Sequence, residues 1–548
     1  MKVIRFCSKY ILQYKFNFVI YIILVFSVTC MSVVFPYVIG TFIDILTRGA
    51  HFDDILNFSI VIASLNLLKI IIQYIITVLY TNIRLNASHA LNKSIIIHIQ
   101  NLSLSYSNDK DNTYLTQRIN NDSNNLIVFC ISVSQNIISN LIMLIFPFIV
   151  MINANKIIAI FMLGFVLMYF IAYLSLKGPF YKSSLASSEA QATFVSSLFE
   201  QLKYIKHIKI NSLQLIMHKR LNEKFLNLKK AAFYSQKIGY IYSSWDNLIS
   251  TFAQIFLFIY GGLQVSEGNF TIGIFAIFTI YFNMMLSSGK YFSDIGASYR
   301  QALVSYDRIK EILDYTPESI GIYDLEKVNK IQFEDLSFSY SGENTLNKIN
   351  KTFTKGNLYA ISGNNGTGKT TFINLMIGLY IDEYIGKITY NDINIRNLNM
   401  INIRKKHLGF AEQEPLLLSG SIYFNLFFDN VDFIDNINDK HLDFCLDVLN
   451  MNEFIYNLGL DYMINEKNTN VSGGEKQKIA ILKVLLKNSD IMIFDEPTSA
   501  LDLQTTKKFI KYLNEIKKDK IIIIISHDEF IKNNGDEIFD IEKLNEIK

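Results

Sequence analysis

Six long apolar runs in the first half of this 548-residue chain constrain its fold more than any other feature. A membrane helix needs about 20 mostly apolar residues, and such runs lie at 17–40, 55–81, 125–151, 157–176, 241–264 and 271–297. Only 18% of the residues are charged, against roughly 25% in an average soluble domain. The runs predict an all-α transmembrane domain with six spans.

The gaps between the runs differ in length and charge. The second gap (82–124) and the fourth (177–240) are long and helix-compatible, which predicts helical extensions with turns near Asn108–Tyr114 and Ile208–Gln214. The N-terminal arm is basic, and the stretch 200–230 carries eight Lys and Arg residues against two Glu. By the positive-inside rule, both termini and the long gaps are cytoplasmic. We expect the two turns to contact another domain.

Four charged residues lie in or near the spans: Lys69, Asp246, Lys290 and Asp294. Charges in a membrane usually face a bundle interior or water, which would make these residues the lining of a substrate cavity. The alternatives are snorkelling near helix ends or an ion pair that only joins two spans. The four cysteines, Cys7, Cys30, Cys130 and Cys445, lack metal-ligand spacing and are expected to be free thiols. A net charge of +3 is too small to indicate nucleic-acid binding.

The composition changes after residue 316. We predict a transmembrane domain at 1–316, a linker at 317–329 and an α/β nucleotide-binding domain at 330–548, where short β-rich runs alternate with helices. Residues 363–370 fit the P-loop pattern between a strand-like and a helix-like run. The predicted ATP-binding residues here are Gly363, Asn364, Asn365, Gly366, Thr367, Gly368, Lys369, Thr370 and Thr371. Lys369 would reach the β- and γ-phosphates, and the Thr370 hydroxyl is placed for Mg²⁺.

An acidic pair follows the apolar run 491–494. Asp495 and Glu496 would stand at the carboxyl edge of a sheet, where α/β proteins bind ligands. Asp495 suits Mg²⁺ coordination, and Glu496 can act as the general base toward water. Beside a P-loop, this pair predicts an ATPase.

A third motif, Val471-Ser472-Gly473-Gly474-Glu475, opens a helix. It resembles the LSGGQ signature of ABC transporter ATPases, with Val471 in place of Leu and Glu475 in place of Gln. Its hydroxyl and amide groups at a helix N-terminus make an anion-binding cap. The resemblance implies that Ser472, Gly473, Gly474 and Glu475 bind ATP that is held by the opposite subunit.

Other positions match family elements one by one. Tyr340 resembles the aromatic residue that stacks on adenine, and Gln413 resembles the Q-loop glutamine near Mg²⁺. Asp502 resembles the D-loop aspartate, and His527 resembles the switch histidine that contacts the γ-phosphate. Asn465-Glu466-Lys467 resembles the X-loop of exporters. The resemblance covers essentially the whole chain and implies catalytic roles for Glu496, His527 and Gln413.

The order of the two domains resembles an exporter-type half-transporter in a bacterial plasma membrane, with the ATPase domain in the cytoplasm. One departure is Gly289-Lys290, where many relatives have a proline in the sixth span. The resemblance implies a dimer; intact motifs favour a homodimer, and a heterodimer stays open. We expect ATP-driven, alternating-access export of a peptide such as a bacteriocin. Lipid or multidrug efflux, or ligand sensing in immunity without net transport, are the alternatives.

Overall fold

The structure is a computed structural model that describes residues 2–109, 115–116, 118–340, 343–364, 366–428, 439–465 and 470–542. The chain forms two compact units. The first comprises residues 1–100 and 111–315, and the second comprises residues 101–110 and 316–548.

The first unit is helical. Its helices are α1 (Lys2–Ile11), α2 (Lys15–Thr47), α3 (Phe52–Gln100), α5 (Ser123–Ala154), α6 (Lys156–Lys203), α7 (Ile205–Ile210), α8 (Gln214–Ser266) and α9 (Ile272–Leu313), while α4 (Leu104–Asp109) belongs to the second unit. A π-helical turn, Arg118–Asp122, precedes α5. The predicted helical extensions are thus continuous with the spans.

Five helical segments of the described chain are long and apolar enough to cross a membrane. They are Lys2–Thr47, Phe52–Gln100, Arg118–Ala154, Gln214–Ser266 and Ile272–Leu313. The predicted fourth run lies in α6, whose described apolar part, Lys156–Met168, is shorter. The six-span prediction therefore has five clear counterparts among the described residues.

Helices α2 and α9 approach each other closely through two glycines. A Cβ atom on Gly273 would lie 2.1 Å from the Gly40 carbonyl oxygen, so a larger residue cannot stand there without movement. Asp44 of α2 accepts hydrogen bonds from the Gly273 N–H and the Thr271 hydroxyl, both at 2.7 Å. Small residues at the crossing and a carboxylate at the start of α9 fix these two helices together.

All four cysteines are free thiols. Cys7, Cys130 and Cys445 are buried, and Cys30 is half-buried.

The second unit is an α/β domain. Its strands are β1 (Lys330–Tyr340), β2 (Glu343–Thr354), β3 (Leu358–Ser362), β4 (Ile385–Tyr390), β5 (Ile393–Asn394), β6 (Leu408–Ala411), β7 (Gly420–Ser421), β8 (Met463–Ile464), β9 (Ile491–Asp495), β10 (Ile521–Ile525) and β11 (Glu537–Asp540). Its further helices are α10 (Lys369–Met376), α11 (Met400–Lys406), α12 (Ile422–Phe427), α13 (Asp439–Val448), α14 (Asn452–Leu458), α15 (Gly473–Lys487), α16 (Leu503–Ile516) and α17 (Glu529–Asn534).

The central sheet has the strand order β11-β3-β10-β9-β6, and every neighbouring pair in it is parallel. Strand β10 consists of five buried isoleucines, as expected for a strand covered on both faces. The second sheet has the order β2-β1-β4-β5 and is antiparallel. Because the central strands are parallel, the loops after β3, β6, β9 and β10 leave the same edge of the sheet.

Helix α4, at the start of the first predicted turn, packs within the second unit. Leu104 of α4 lies against the apolar core of this unit, and the Ser105 hydroxyl donates to Glu383 Oε1 at 2.6 Å. The Glu318 N–H donates to the Asn101 carbonyl oxygen at 2.8 Å. The contact lies at residues 101–109, just before most of the predicted turn, whose residues 110–114 are outside the described residues. The second turn, at 208–214, belongs to the first unit.

Candidate active site

The P-loop joins β3 to α10, as predicted. Gly363 and Gly368 have φ angles of 147° and 95°, a region that side chains with a Cβ rarely adopt. The Thr367 hydroxyl donates to the Asn364 carbonyl oxygen at 2.9 Å, which tightens the loop. The first turn of α10 therefore directs its backbone N–H groups toward the loop's concave side, where an anion is favoured. Gly366 is exposed, and Asn365 lies outside the described residues.

Three predicted residues from three loops converge beside the P-loop. Lys369 Nζ lies 3.2 Å from His527 Nε2, and His527 Nε2 lies 3.7 Å from Glu496 Oε1. Lys369 also donates to the carbonyl oxygens of Gly363 at 2.6 Å and Asn364 at 3.0 Å. An unprotonated His527 Nε2 accepts from Lys369, and a protonated one can face Glu496. The sheet has thus brought a cation, an imidazole and a carboxylate to one edge.

The acidic pair ends β9. Burial, reinforced by the neighbouring Glu496, raises the pKa of Asp495 to about 6, although Lys369 opposes the shift. Glu496 has a left-handed backbone with φ of 47°, and its Oε1 is buried with no hydrogen-bond partner among the described residues. The raised pKa of Asp495 and the lack of a described hydrogen bond to Glu496 Oε1 indicate concentrated negative charge that the described protein groups do not fully offset. A divalent cation and an attacking water fit this pattern.

Tyr340 lies at the end of β1, close to the P-loop helix. The Thr371 hydroxyl is 3.5 Å from the Tyr340 hydroxyl, which is also 3.3 Å from that of Tyr380. Tyr340 is 41% exposed, which leaves the residue accessible to an adenine. Thr370 is exposed on the first turn of α10. The adenine-stacking role of Tyr340 stays a prediction.

Gln413 lies in the loop after β6, the strand next to β9. Its side chain is exposed, and no hydrogen bond is described for it. The topology places Gln413 at the same sheet edge as Asp495 and Glu496. Its approach to the metal stays a prediction.

Ser472 and Glu475 form a capping box at the start of α15. The Glu475 carboxylate accepts from the Ser472 N–H at 2.6 Å, and the Ser472 hydroxyl accepts from the Glu475 N–H at 3.3 Å. Among the described residues, no hydrogen bond joins this cap or Gly473 and Gly474 to the P-loop. Glu466 and Lys467 of the predicted X-loop lie outside the described residues. Within one chain, the signature cap and the P-loop remain separate groups of residues.

Asp502 is the N-cap of α16. Its carboxylate accepts from the Gln504 N–H, the Thr505 N–H and the Thr505 hydroxyl at 2.7–3.0 Å. Hydrogen bonds from Thr505 lower the pKa of Asp502. In the described chain, Asp502 thus holds the helix that follows the predicted D-loop.

Gln477 is a functional candidate that the sequence analysis missed. It is buried on α15; its Nε2 donates to the Glu496 carbonyl oxygen at 2.8 Å, and its Oε1 accepts from the Ser499 hydroxyl at 2.8 Å. The amide therefore links the signature helix to the loop that carries Glu496. The sequence could have indicated this role, because Gln477 is a polar residue close to Ile479 and Ala480 on the buried side of α15.

Comparison with known proteins gives two family matches. The ABC transporter transmembrane region matches residues 18–288, and the ABC transporter domain matches residues 346–499. Together these matches cover most of the chain. The chain belongs to the ABC transporter family. It is an exporter-type half-transporter, a membrane protein whose nucleotide-binding ATPase domain couples ATP hydrolysis to transport.

Individual relatives agree on this family and differ in cargo. The microcin-J25 export ATP-binding/permease protein McjD of Escherichia coli is 27% identical over 83% of this transporter and 78% of that protein. An ATP-dependent lipid A-core flippase of Syntrophus aciditrophicus (strain SB) is 29% identical over 58% of this chain and 53% of its own length. This transporter thus spans about half of the flippase.

A solved structure shares the whole fold. It is a bacterial Atm1-family ABC exporter with ATP bound, with a TM-score of 0.82, 18% sequence identity, and coverage of 96% of this chain and 94% of that chain. The predicted fold class, a helical transmembrane domain followed by an α/β P-loop ATPase domain, is confirmed.

The transporter's intramembrane charges fall into different environments. Lys290 Nζ lies 2.5 Å from Asp246 Oδ2, and Asp246 is buried, so this ion pair joins α9 to α8. Asp246 and Asp294 lie in helix interiors, because α8 and α9 continue well beyond the apolar runs. Lys69 lines a cavity of about 290 Å³ between α2 and α3, beside Cys30, Val34 and Asn66.

Proposed function

We propose that this transporter uses Mg²⁺ and ATP to export a peptide across the cell membrane as a homodimer. The observation that carries the ATPase part is the convergence of Lys369, His527 and Glu496 at one edge of the parallel sheet. Thr370, Gln413 and Asp495 would hold the Mg²⁺. The ion would supply positive charge against the phosphate oxygens during hydrolysis.

The roles of this chain's own residues follow from where the sheet puts them. The P-loop amides and Lys369 bind the phosphates, and Tyr340 stacks on the adenine. Glu496 takes a proton from the water that attacks the γ-phosphorus, and the bond to the bridging β–γ oxygen breaks. His527 contacts the γ-phosphate from the adjacent loop. The buried Oε1 of Glu496, which has no hydrogen-bond partner among the described residues, supports its role as the base.

The dimer is proposed because one chain holds only part of such a site. The signature cap at Ser472 makes no described hydrogen bond to the P-loop, so a second copy would have to supply it. Large apolar residues at the second turn are also exposed to solvent: Ile210 is 70% exposed and Leu215 is 84% exposed. We place this turn against another copy's ATPase domain. A heterodimer with a related chain would use the same contacts.

A peptide is the proposed cargo because the microcin exporter aligns over a larger share of this chain than the flippase does. Lipid or lipophilic-drug efflux is the second candidate. It is favoured by the cavity at Lys69, where one ammonium lies beside Asn66 among mostly apolar side chains. The N-terminus, the long turns and the ATPase domain are placed on the cytoplasmic side by the positive-inside rule.

The test is ATP hydrolysis by the full chain in lipid nanodiscs, with Glu496→Gln as the blank. Cationic peptides, lipid extracts and lipophilic dyes are titrated separately. We expect saturable stimulation by peptide alone, followed by ATP-dependent uptake of that peptide into inverted vesicles. Stimulation by lipid or dye alone would overturn the peptide assignment. Stimulation without uptake would indicate ligand sensing without transport.

A further inference from the structure

A cavity of about 320 Å³, lined by both polar and apolar side chains, lies within the first unit, between α5 and α9. We propose that it binds a cationic group of the cargo, such as an arginine or lysine side chain or an amphiphilic amine, through Asp294. This inference rests on the proposed export function and names the chemical class of the substrate.

The lining of the cavity suits a cation. Asp294 is the one charged side chain among its described lining residues. Neutral side chains that can accept a hydrogen bond accompany it: Asn125, Ser132, Asn136, Ser298 and Gln301. Phe129 and Tyr291 add aromatic surface, which attracts organic cations. An anion placed here would face the carboxylate without any basic partner in the described lining.

The Asp294 carboxylate retains one oxygen for a ligand. The Tyr242 hydroxyl of α8 donates to Asp294 Oδ1 at 2.7 Å. No hydrogen bond to Oδ2 is described within the resolved part of α5, α8 and α9. The Tyr291 hydroxyl is buried and has no hydrogen-bond partner among the described residues. A bound ammonium or guanidinium group could donate hydrogen bonds to Asp294 Oδ2 and to the Tyr291 hydroxyl oxygen.

The nearby lysine does not reverse this preference. Lys290 stands one helical turn before Asp294, but its ammonium lies 2.5 Å from Asp246 and does not line the cavity. Because Lys290 and Asp246 neutralise each other, these three residues together carry the negative charge of Asp294. Because Lys290 is paired with Asp246, it gives no preference for an anionic cargo.

The position of the cavity suits loading of cargo before transport. Its α5 residues, 125–136, lie at the start of the third apolar run, and its α9 residues, 291–302, lie at the end of the sixth. The sequence places both of these ends on the cytoplasmic side. A cationic side chain arriving from the cytoplasm would therefore meet Asp294 before it meets the middle of the bilayer.

The chain carries its own reporter for a binding test. Trp245 is the one tryptophan of the chain, and it lies on α8 one turn from Tyr242. Fluorescence of the full chain in nanodiscs without ATP would be titrated with three acetylated, amidated tripeptides that differ only in a central arginine, glutamine or glutamate between two phenylalanines. A fourth probe, 2-phenylethylamine, tests a small lipophilic amine.

We expect saturable binding of the arginine peptide, about tenfold tighter than the glutamine peptide, because one charge-assisted hydrogen bond is gained. Asp294→Asn keeps an acceptor for Tyr242 and should remove that tenfold preference. Asp307→Asn, the same change on an exposed part of α9, should leave it intact. Asn136→Lys adds an ammonium to the lining and should weaken arginine-peptide binding by a similar factor.

Equal binding of the glutamate and arginine peptides by the unmodified chain would overturn the proposal, as would an Asp294→Asn protein that keeps the preference. If 2-phenylethylamine binds and the arginine peptide does not, the site would be assigned to small amines, and the proposal of a cationic ligand would stand. No binding of any cationic probe would also overturn it. The titration needs no ATP, so a failure here with normal ATPase activity leaves the proposed export function standing. Binding without ATPase activity would contradict export alone.

Discussion

Replacing Gln477 with methionine would test how the signature helix holds the catalytic loop. Methionine has a similar length but cannot make either hydrogen bond of the amide, to the Glu496 carbonyl oxygen and from the Ser499 hydroxyl. Each such buried bond stabilises by about 1 kcal/mol. The Ser499 hydroxyl also donates to the Glu496 carbonyl oxygen at 3.0 Å, so this oxygen keeps one partner.

The net loss should therefore be about 1–2 kcal/mol, concentrated in the loop 496–501. The left-handed backbone of Glu496 makes this loop sensitive, because a residue with a Cβ is strained there unless neighbours hold it. Such a loss corresponds to roughly 5- to 30-fold faster hydrogen exchange of the loop amides. We also expect kcat for ATP hydrolysis to fall about tenfold, with KM nearly unchanged, since the P-loop is not touched.

The assay is hydrogen exchange by mass spectrometry on the full chain in nanodiscs, together with ATPase kinetics. Lys476→Met is the matched control, because this neighbour on α15 has no described side-chain hydrogen bond. Unchanged exchange at 496–501 and unchanged kcat in Gln477→Met would refute the link between α15 and Glu496.

Three further changes probe other parts of the ATPase unit. Gly368→Ala places a Cβ 2.8 Å from Leu346 Cδ2 at a φ of 95°, so nucleotide binding should weaken at least about tenfold by equilibrium titration; unchanged affinity would contradict the loop geometry. Glu475→Gln keeps the capping box and should leave exchange in the first turn of α15 unchanged, whereas Glu475→Ala should lose about 1 kcal/mol there; identical behaviour of both would argue against the box. Burial raises the pKa of Glu318 to about 6 from an ordinary 4.5, so the folded state loses up to about 2 kcal/mol as the pH rises from about 4.5 to above 6. Glu318→Gln should remove that loss, raising the unfolding temperature at pH 7.5 but not at pH 4.5; an equal effect at both values would contradict the assignment.

The ATP-binding motifs could be predicted from sequence because each is a short run whose chemistry depends on local backbone geometry. Each motif can be recognised from a few consecutive residues: the P-loop glycines, the Ser472–Glu475 cap and the strand before Asp495. Their convergence at one edge followed from the rule for parallel sheets.

Contacts between distant elements could not be predicted in the same way. The pairing of Lys290 with Asp246 depends on how α8 and α9 are rotated, and the apolar pattern of a membrane helix does not fix that rotation. The link from Gln477 to Glu496 depends on the packing of α15 beside β9. The sequence led us to expect that the first turn contacts another domain, but the particular partner of α4, Glu383, came only from the structure.

Hydrolysis and retention of ATP by Glu496→Gln show whether Glu496 is the general base of this ATPase. Radiolabelled ATP would be incubated with the unmodified and variant chains in nanodiscs, and both released phosphate and bound nucleotide would be counted per chain. We predict that the variant hydrolyses ATP less than about 1% as fast and retains about one intact ATP per chain, because the binding residues remain and only the base is lost. Turnover near that of the unmodified chain would contradict the assignment of Glu496 as the base.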